Sequence, residues 1–316
     1  MRKVLIVLGS LFLIAIFALL CIITTHTPKY DGDLDLIGLQ NPVEVLFDNY
    51  GVPHIYAENE LDAYRAFGYV HAQDRLFQLE MMRRVGTGTL SEFLGNSLLD
   101  TDKFFRTLGI SKQATISTDF WNNQANSPIK EATNAYIDGV NQFIREGNLP
   151  IEYVLLGEKP REFTVNDIHA ITGYMAFSFA MAVKTDPILT KIQRKLGNDY
   201  LKSLSINTLP DHVTIPNFYP PSRSDSNQTS GNLQAMLKKL PVPLLKGSNA
   251  WVISGDKTES GKVIFANDTH IGFSSPSVWY EAHLEYPGHS YYGNHLAGMP
   301  FGFVGHSDFQ SIGLTM

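Results

Sequence analysis

Hydrophobic and polar positions change rhythm several times along the chain. The first stretch is an unbroken apolar run, residues 4–23, preceded by Arg2 and Lys3. Twenty residues at a helical rise of ~1.5 Å span about 30 Å, one bilayer core. A secretory signal has a shorter apolar region, of about 7–15 residues, followed by a small-x-small cleavage site. Thr25-His26-Thr27 is a poor site of that kind, and Ala18-Leu19-Leu20-Cys21 lacks the small residue that a lipoprotein signal places before its cysteine. The run reads as a retained membrane anchor, with a cleaved signal as the alternative. Either way the positive end stays inside and the remainder is exported, periplasmic or extracellular.

Residues 28–42 are rich in Asp, Gly and Pro and read as a polar linker. Val43 to Phe47 and Val52 to Ala57 are strand-like around the turn Asp48-Asn49-Tyr50-Gly51, which predicts a hairpin. A helical stripe then follows through Ala63, Ala66, Phe67, Val70, Phe77 and Met81. Asp74 lies on that stripe, so its carboxylate needs a partner; His71, Arg75 and Gln78 are within helical reach. Further helices are expected over residues 129–145, 165–182 and 186–205, the second too short for another membrane span. Residues 221–232 read as a solvated loop, and Leu240-Pro241-Val242-Pro243 as an extended connector. After Ala250 the rhythm turns β-like, at residues 251–253, 263–266, 280–286 and 301–304. The expected class is α+β, a mostly helical segment followed by a β-rich tail.

Composition adds exclusions. The 316 residues are 44% hydrophobic and 18% charged, a globular balance. A net charge of −6 without a basic tract argues against nucleic acid as a partner. The single cysteine, Cys21, rules out an intrachain disulfide or a cysteine-based metal site. No G-x-S-x-G elbow, P-loop, dinucleotide fingerprint or HExxH occurs. His283, His289 and His295 are six apart, not at helical metal spacing, and read as solvent or loop histidines. Gly247-Ser248-Asn249-Ala250-Trp251 stands at the junction of connector and strand, where a Gly-Ser alone is ordinarily a turn.

The blocks around it carry more. Asp48-x-x-Gly51-Val52-Pro53-His54-Ile55-x-Ala57 is the first, and Asp62-Ala63-x-x-Ala66-x-Gly68-Tyr69-x-His71-Ala72-Gln73-Asp74-Arg75-Leu76-x-Gln78 the second. Leu149-Pro150-x-Glu152-Tyr153-x-x-Leu156-Gly157 follows, and after the serine come Ala266-Asn267-Asp268-x-His270, Pro276-Ser277-x-Trp279-Tyr280-Glu281 and Gly305-His306. In this order and over nearly the whole exported region, they resemble the penicillin acylase family of N-terminal-nucleophile hydrolases. Phe163, Thr89 and Ile312 depart from common residues of that family, away from the serine.

The resemblance implies an αββα sandwich, divided as residues 1–27 (anchor or signal), 28–220 (an α-chain-like helical segment), 221–247 (a spacer ending at a self-cleavage site) and 248–316 (the start of a β-chain-like nucleophile segment). It implies that Ser248 attacks the carbonyl of Gly247, where a residue without Cβ tolerates strained torsions. The freed Ser248 amine then acts as base for its own hydroxyl. His270 and Asn249 are expected to orient the site, His270 with packing as the alternative. Met316 would be the backbone oxyanion donor, following the Gly313-x-Thr315 pattern. Met175, Phe179, Ile271, Phe303 and Val304 match the family's acyl-pocket walls, with ordinary core as the alternative. The expected substrate is a small acyl amide, a penicillin or an N-acyl homoserine lactone, hydrolysed by α and β fragments that stay associated after cleavage. No cofactor is expected, and the family's structural calcium has no clear ligands here. Family members continue well beyond the position of Met316, so the expected sandwich is truncated and the second oxyanion donor is missing. An inactive remnant of such an acylase is the alternative.

Overall fold

The computed structural model describes residues 2–204, 240–241 and 245–315, some by backbone alone. Helix α1 is Arg2–Thr25, the apolar run in helical form. Among the described residues no helix is long and apolar enough to cross a membrane. The hairpin follows as β1 (Glu44–Phe47) and β2 (Pro53–Tyr56), antiparallel. Helix α2 (Glu60–Thr87) is the longest element. Asn59 caps its start by accepting from the Asp62 N–H, and Gly88 ends it in the left-handed conformation at φ 65°. Then come α3 (Leu90–Leu94), α4 (Leu99–Leu108), α5 (Ile110–Asn123), α6 (Pro128–Glu146), α7 (Ile151–Leu156), α8 (Val165–Phe179), α9 (Met181–Leu196) and α10 (Asn198–Ser203). The strands after these are β3 (Leu245–Ile253), β4 (Ile264–Ile271), β5 (Trp279–Tyr286), β6 (His289–Leu296), β7 (Val304–Ser307) and β8 (Ser311–Ile312).

The class is α+β. Sequence rhythm located the hairpin, α2 and α6. It did not resolve α3 to α5, whose amphipathic faces are short, nor β6, where polar Tyr, Asn and His residues hide the alternation. The expected helix 165–182 ends at Phe179, because Ala180 leaves helical geometry at ψ 85°. A separate helix starts at Met181 rather than residue 186. The last expected strand, 301–304, begins at Val304 instead. The expected loop 221–232 lies outside the described residues.

One sheet has the order β1-β2-β5-β6-β7-β8, and a second pairs β3 with β4. In the first, β2 runs parallel to β5, with His54, Ile55 and Tyr56 opposite His283, Leu284 and Glu285. Helix α2 covers one face. Its Phe67 and Leu79 pack with Tyr280, Ala282, Leu284 and Leu296 in a single apolar cluster that also takes in Tyr136 and Phe143 of α6. Helices α2 and α6 cross in backbone contact: a Cβ on Gly68 would lie 2.0 Å from the Tyr136 carbonyl oxygen, and one on Gly139 2.0 Å from that of Arg65.

Buried charge is concentrated toward the C-terminal part of α2 and the start of α8. Arg83 and Glu80, each 2% exposed, form an ion pair within α2. Arg83 also donates to the Glu162 and Arg161 carbonyls and lies 3.8 Å from Asp167, which Arg161 contacts from the other side. Asp167 closes a capping box at the start of α8 through the Thr164 N–H at 2.9 Å. The Asp74 carboxylate makes no hydrogen bond to His71, Arg75 or Gln78 of its own helix, although the charge of Arg75 acts on it. It accepts from Tyr30 at 2.8 Å and Tyr280 at 2.6 Å, and desolvation raises its pKa. Tyr30 belongs to the segment read as a linker, which is instead strapped to the body. Gln40 and Asn41 donate to Asp62, Ile37 donates to Gln142, and Gln142 donates to the Asp35 carbonyl.

His295, expected in solvent, is 1% exposed against Phe67, and His71 is fully buried beneath Tyr280. Burial pushes the His295 pKa down to about 3 and that of His71 well below its usual value. Both are neutral in the fold yet protonate freely once unfolded. Their contribution to stability is therefore full above about pH 6.5 and is lost as pH falls toward the folded values. Denaturant titration at pH 7.5 and pH 5 should show a loss of about 2 kcal/mol from His295, one pKa unit being worth 1.36 kcal/mol, and a further loss of the same sign from His71. A His295→Phe variant should lose correspondingly less; equal losses in the two proteins would refute the assignment. Gly68→Ala should destabilise by about 1–3 kcal/mol or more, since backbone rather than a flexible side chain blocks the methyl group. A thermal midpoint unchanged by this substitution would contradict the crossing geometry.

Candidate active site

The Gly-Ser pair lies inside a strand and not at its entrance. Gly247 and Ser248 are the third and fourth residues of the nine-residue β3. β3 pairs antiparallel with β4: Gly247 faces His270, Ser248 faces Thr269, Asn249 faces Asp268 and Ala250 faces Asn267, with a register shift between Leu245 and Gly247. Residues directly opposite in a ladder share a face, and faces alternate along the strand. Ser248 therefore shares its face with Thr269 and Asn267, while Asn249, Asp268 and His270 share the other.

On that second face the side chains form a short relay. His270 Nε2 lies 3.1 Å from Asp268 Oδ2 and 3.3 Å from Asn249 Nδ2. The nitrogen serves one neighbour at a time, donating to the carboxylate when protonated and accepting from the amide when not. The ring also stands against Gly247, where a Cβ would come within 3.2 Å of Nδ1. Gly247 is not in the left-handed region, so the space beside His270, rather than torsional strain, is what favours glycine here.

On the Ser248 face, Asn267 joins β3 to the segment after β8. Its Nδ2 donates to the carbonyls of Asn249 and Leu314, both at 2.9 Å, and its Oδ1 accepts from the Leu314 N–H at 3.1 Å. Thr315 Oγ1 donates to the Ser248 carbonyl at 3.2 Å. Trp279 Nε1 donates to Thr269 Oγ1 at 3.1 Å, fastening this small sheet to the start of β5. Ser248 and Asn267 are half-buried, and Asn249 and His270 are exposed.

The structure thus gathers Gly247, Ser248, Asn249 and His270, and brings Thr315 to the serine; Met316 lies outside the described residues. The expected pocket walls are more scattered. Ile271 is opposite Leu245, and α8, which carries Met175 and Phe179, touches β3. Met175, Ile271 and Phe303 are half-buried against the main apolar cluster. Phe303 and Val304 pair with Asn294 of β6. Two surface hollows are lined elsewhere: one of about 610 Å³ by Ile253, Lys257 and Ile264 among others, and one of about 470 Å³ by Tyr56, Tyr286 and Phe309 among others. Among the described residues no group of three or more His, Cys, Asp or Glu is placed to hold a metal ion. Sequence reading passed over Asn267 and Thr315 as site residues. The signal was available, since Asn267 sits within a quoted block and Thr315 within the Gly313-x-Thr315 pattern.

A family model described as penicillin amidase matches residues 42–316. Penicillin acylase 2 proenzyme of Pseudomonas sp. (strain SE83) is 33% identical over 270 residues, 81% of this chain and 34% of the relative. Acyl-homoserine lactone acylase QuiP of Pseudomonas aeruginosa is 27% identical over 300 residues, 92% of this chain and 35% of the relative. Penicillin G acylase of Escherichia coli is 26% identical over 338 residues, 86% of this chain and 38% of the relative. The chain spans about a third of the length of these curated relatives. Among solved structures, a thermostable penicillin G acylase from Alcaligenes faecalis is 26% identical, with a TM-score of 0.41, covering 58% of this chain and 98% of that one.

Proposed function

The chain belongs to the penicillin amidase family, and from that premise we propose that it is part of an exported acylase whose nucleophile is Ser248, released by self-cleavage after Gly247. The observation that carries this reading is the accessible Gly247-Ser248 pair in β3, flanked by the His270 ring at the glycine and by Thr315 at the serine carbonyl.

In the first step Ser248 Oγ bonds to the Gly247 carbonyl carbon. The carbon–nitrogen bond breaks, and the nitrogen takes up the hydroxyl proton. Water then hydrolyses the resulting ester, leaving a Gly247 carboxylate and a free Ser248 hydroxyl. The new α-amine has a reference pKa of about 7.7–8.0, so a useful fraction is neutral near pH 7 and accepts the hydroxyl proton in each turnover. Attack on a substrate amide gives an acyl ester on Ser248 and releases the amine; water releases the acid. Both tetrahedral intermediates need N–H donors fixed in advance, a role assigned to the Met316 backbone, next to the anchored Thr315. His270 acts on the Gly247 side of the scissile bond, and Asn249 holds its ring. Met175, Phe179, Ile271, Phe303 and Val304 form the acyl-binding wall. The substrate is a small acyl amide, of which the penicillins and acyl-homoserine lactones in the relatives' names are examples.

The cleaved fragments stay associated. β2 and α2 precede the scissile bond and β5 and β6 follow it, and they share one sheet and one apolar cluster. The membrane anchor in this reading rests on the sequence alone, on the unbroken apolar run of residues 4–23, since no described helix is long and apolar enough to cross a membrane.

Intact-mass analysis of the full-length protein should show two fragments, the second beginning with Ser248, and Ser248→Ala should remain a single uncut chain. An uncut wild type, or cleavage persisting in Ser248→Ala, would remove the basis of the assignment. In isolated membranes, alkaline carbonate should leave the protein in the pellet, and deletion of residues 2–25 should release it; recovery of the intact protein in the supernatant would exclude an anchor.

A further inference from the structure

Asn267 uses every hydrogen-bonding atom of its amide to tie two segments together. Both Nδ2 hydrogens are committed, one to the Asn249 carbonyl and one to the Leu314 carbonyl, and Oδ1 takes the Leu314 N–H. Exchanging a donor and an acceptor with one residue is what an adjacent strand would do through its backbone. Here a side chain does it, so the 313–315 segment is held beside β3 without a ladder of its own. The fit is close. A Cβ on Gly313 would come 2.8 Å from Asn267 Cγ and 2.6 Å from Phe265 Cζ, so no larger residue sits there without displacing the clamp. A second tether, Thr315 Oγ1 to the Ser248 carbonyl, fixes the register one residue further on. Asn267 also shares the face of the small sheet that carries the Ser248 side chain, whereas Asp268 and His270 lie on the other.

We propose that Asn267 is a positioning residue for the Ser248 chemistry: its amide ties the Asn249 carbonyl of β3 to Leu314 and so holds the strand that carries Ser248 in place against residues 313–315. This rests on the assignment of Ser248 as nucleophile. A reacting group held in its productive geometry in advance contributes far more than one that must be brought there during the reaction. A half-buried side chain with all three of its bonds made within the fold is suited to pre-setting.

Asn267→Asp separates this role from simple packing. The substitution keeps the shape and the acceptor for Leu314 but replaces the donating Nδ2 with a carboxylate oxygen, which repels the Asn249 and Leu314 carbonyls. In the full-length precursor at pH 7.5, self-cleavage at Gly247–Ser248 should slow by about tenfold or more, in line with the cost of misplacing a reacting group. As pH falls toward about 4, where a carboxyl regains a hydrogen, the deficit relative to wild type at the same pH should narrow. Thr315→Val, which removes one exposed hydroxyl, should slow cleavage by a smaller factor, and the two effects should combine less than multiplicatively because both act on one segment. Thermal unfolding establishes that each variant is folded. A folded Asn267→Asp that cleaves at the wild-type rate, or whose pH profile runs parallel to wild type, overturns the proposal. If Asn267→Asp does not fold, an unchanged rate in Thr315→Val overturns it. Ser248→Ala runs alongside: cleavage there, or none in wild type, defeats the nucleophile assignment itself, whereas a dead Ser248→Ala beside a normal Asn267→Asp defeats only the positioning role.

Discussion

Parallel pairing of β2 with β5 is the constraint on which the rest depends. A strand from the first fifth of the chain lies beside one from its last fifth, with His54, Ile55 and Tyr56 opposite His283, Leu284 and Glu285. Parallel strands cannot be joined by a tight turn, and here the connection takes in the helical segment and the β3–β4 pair. Helix α2 leaves the hairpin and covers the sheet that this pairing begins, so its apolar stripe meets residues more than two hundred positions away, such as Tyr280 and Leu284. A break between Gly247 and Ser248 would separate two pieces that share this sheet and this apolar cluster.

The polar interior follows from the same packing. Glu80, Arg83 and Asp167 are buried together where α2 meets α8, close to the point where a Cβ on Gly86 would lie 2.5 Å from the Ala170 carbonyl oxygen. Such groups are tolerable only in mutual contact, since removing one partner strands the others in a low-dielectric interior. They join α2, the 161–162 turn and the first turn of α8. The tyrosines Tyr30 and Tyr280 do the same for Asp74, one arriving from the N-terminal strap and the other from β5.

The candidate site sits outside this core, on a two-stranded sheet with exposed residues and few tethers. Trp279 joins it to the main sheet, and Asn267 and Thr315 join it to the 313–315 segment. Reactive groups placed on such a platform remain reachable by solvent, as hydrolysis requires, while side-chain hydrogen bonds supply the precision that a ladder provides elsewhere. The alternation of β3 sorts the neighbours of the Gly247–Ser248 pair by side: the His270 relay against Gly247, the Asn267 clamp on the face of Ser248.

By itself the sequence determined the local elements with strong periodicity: the hairpin around Gly51, the stripe of α2, α6, and the change to β structure beyond Ala250. It also determined the blocks that carry the family resemblance and the Gly247-Ser248 pair within them. These are properties of neighbouring residues, and neighbours are what a sequence displays. Tertiary structure alone decided that Asp74 is held by Tyr30 and Tyr280 rather than by its own helix. It alone buried His295, turned the polar 28–42 stretch into a strap, set Gly247 beside His270, and drew Leu314 and Thr315 to β3. Each of these joins residues far apart in sequence, and a contact of that kind is fixed by strand register and helix crossing, which no local pattern of side chains records.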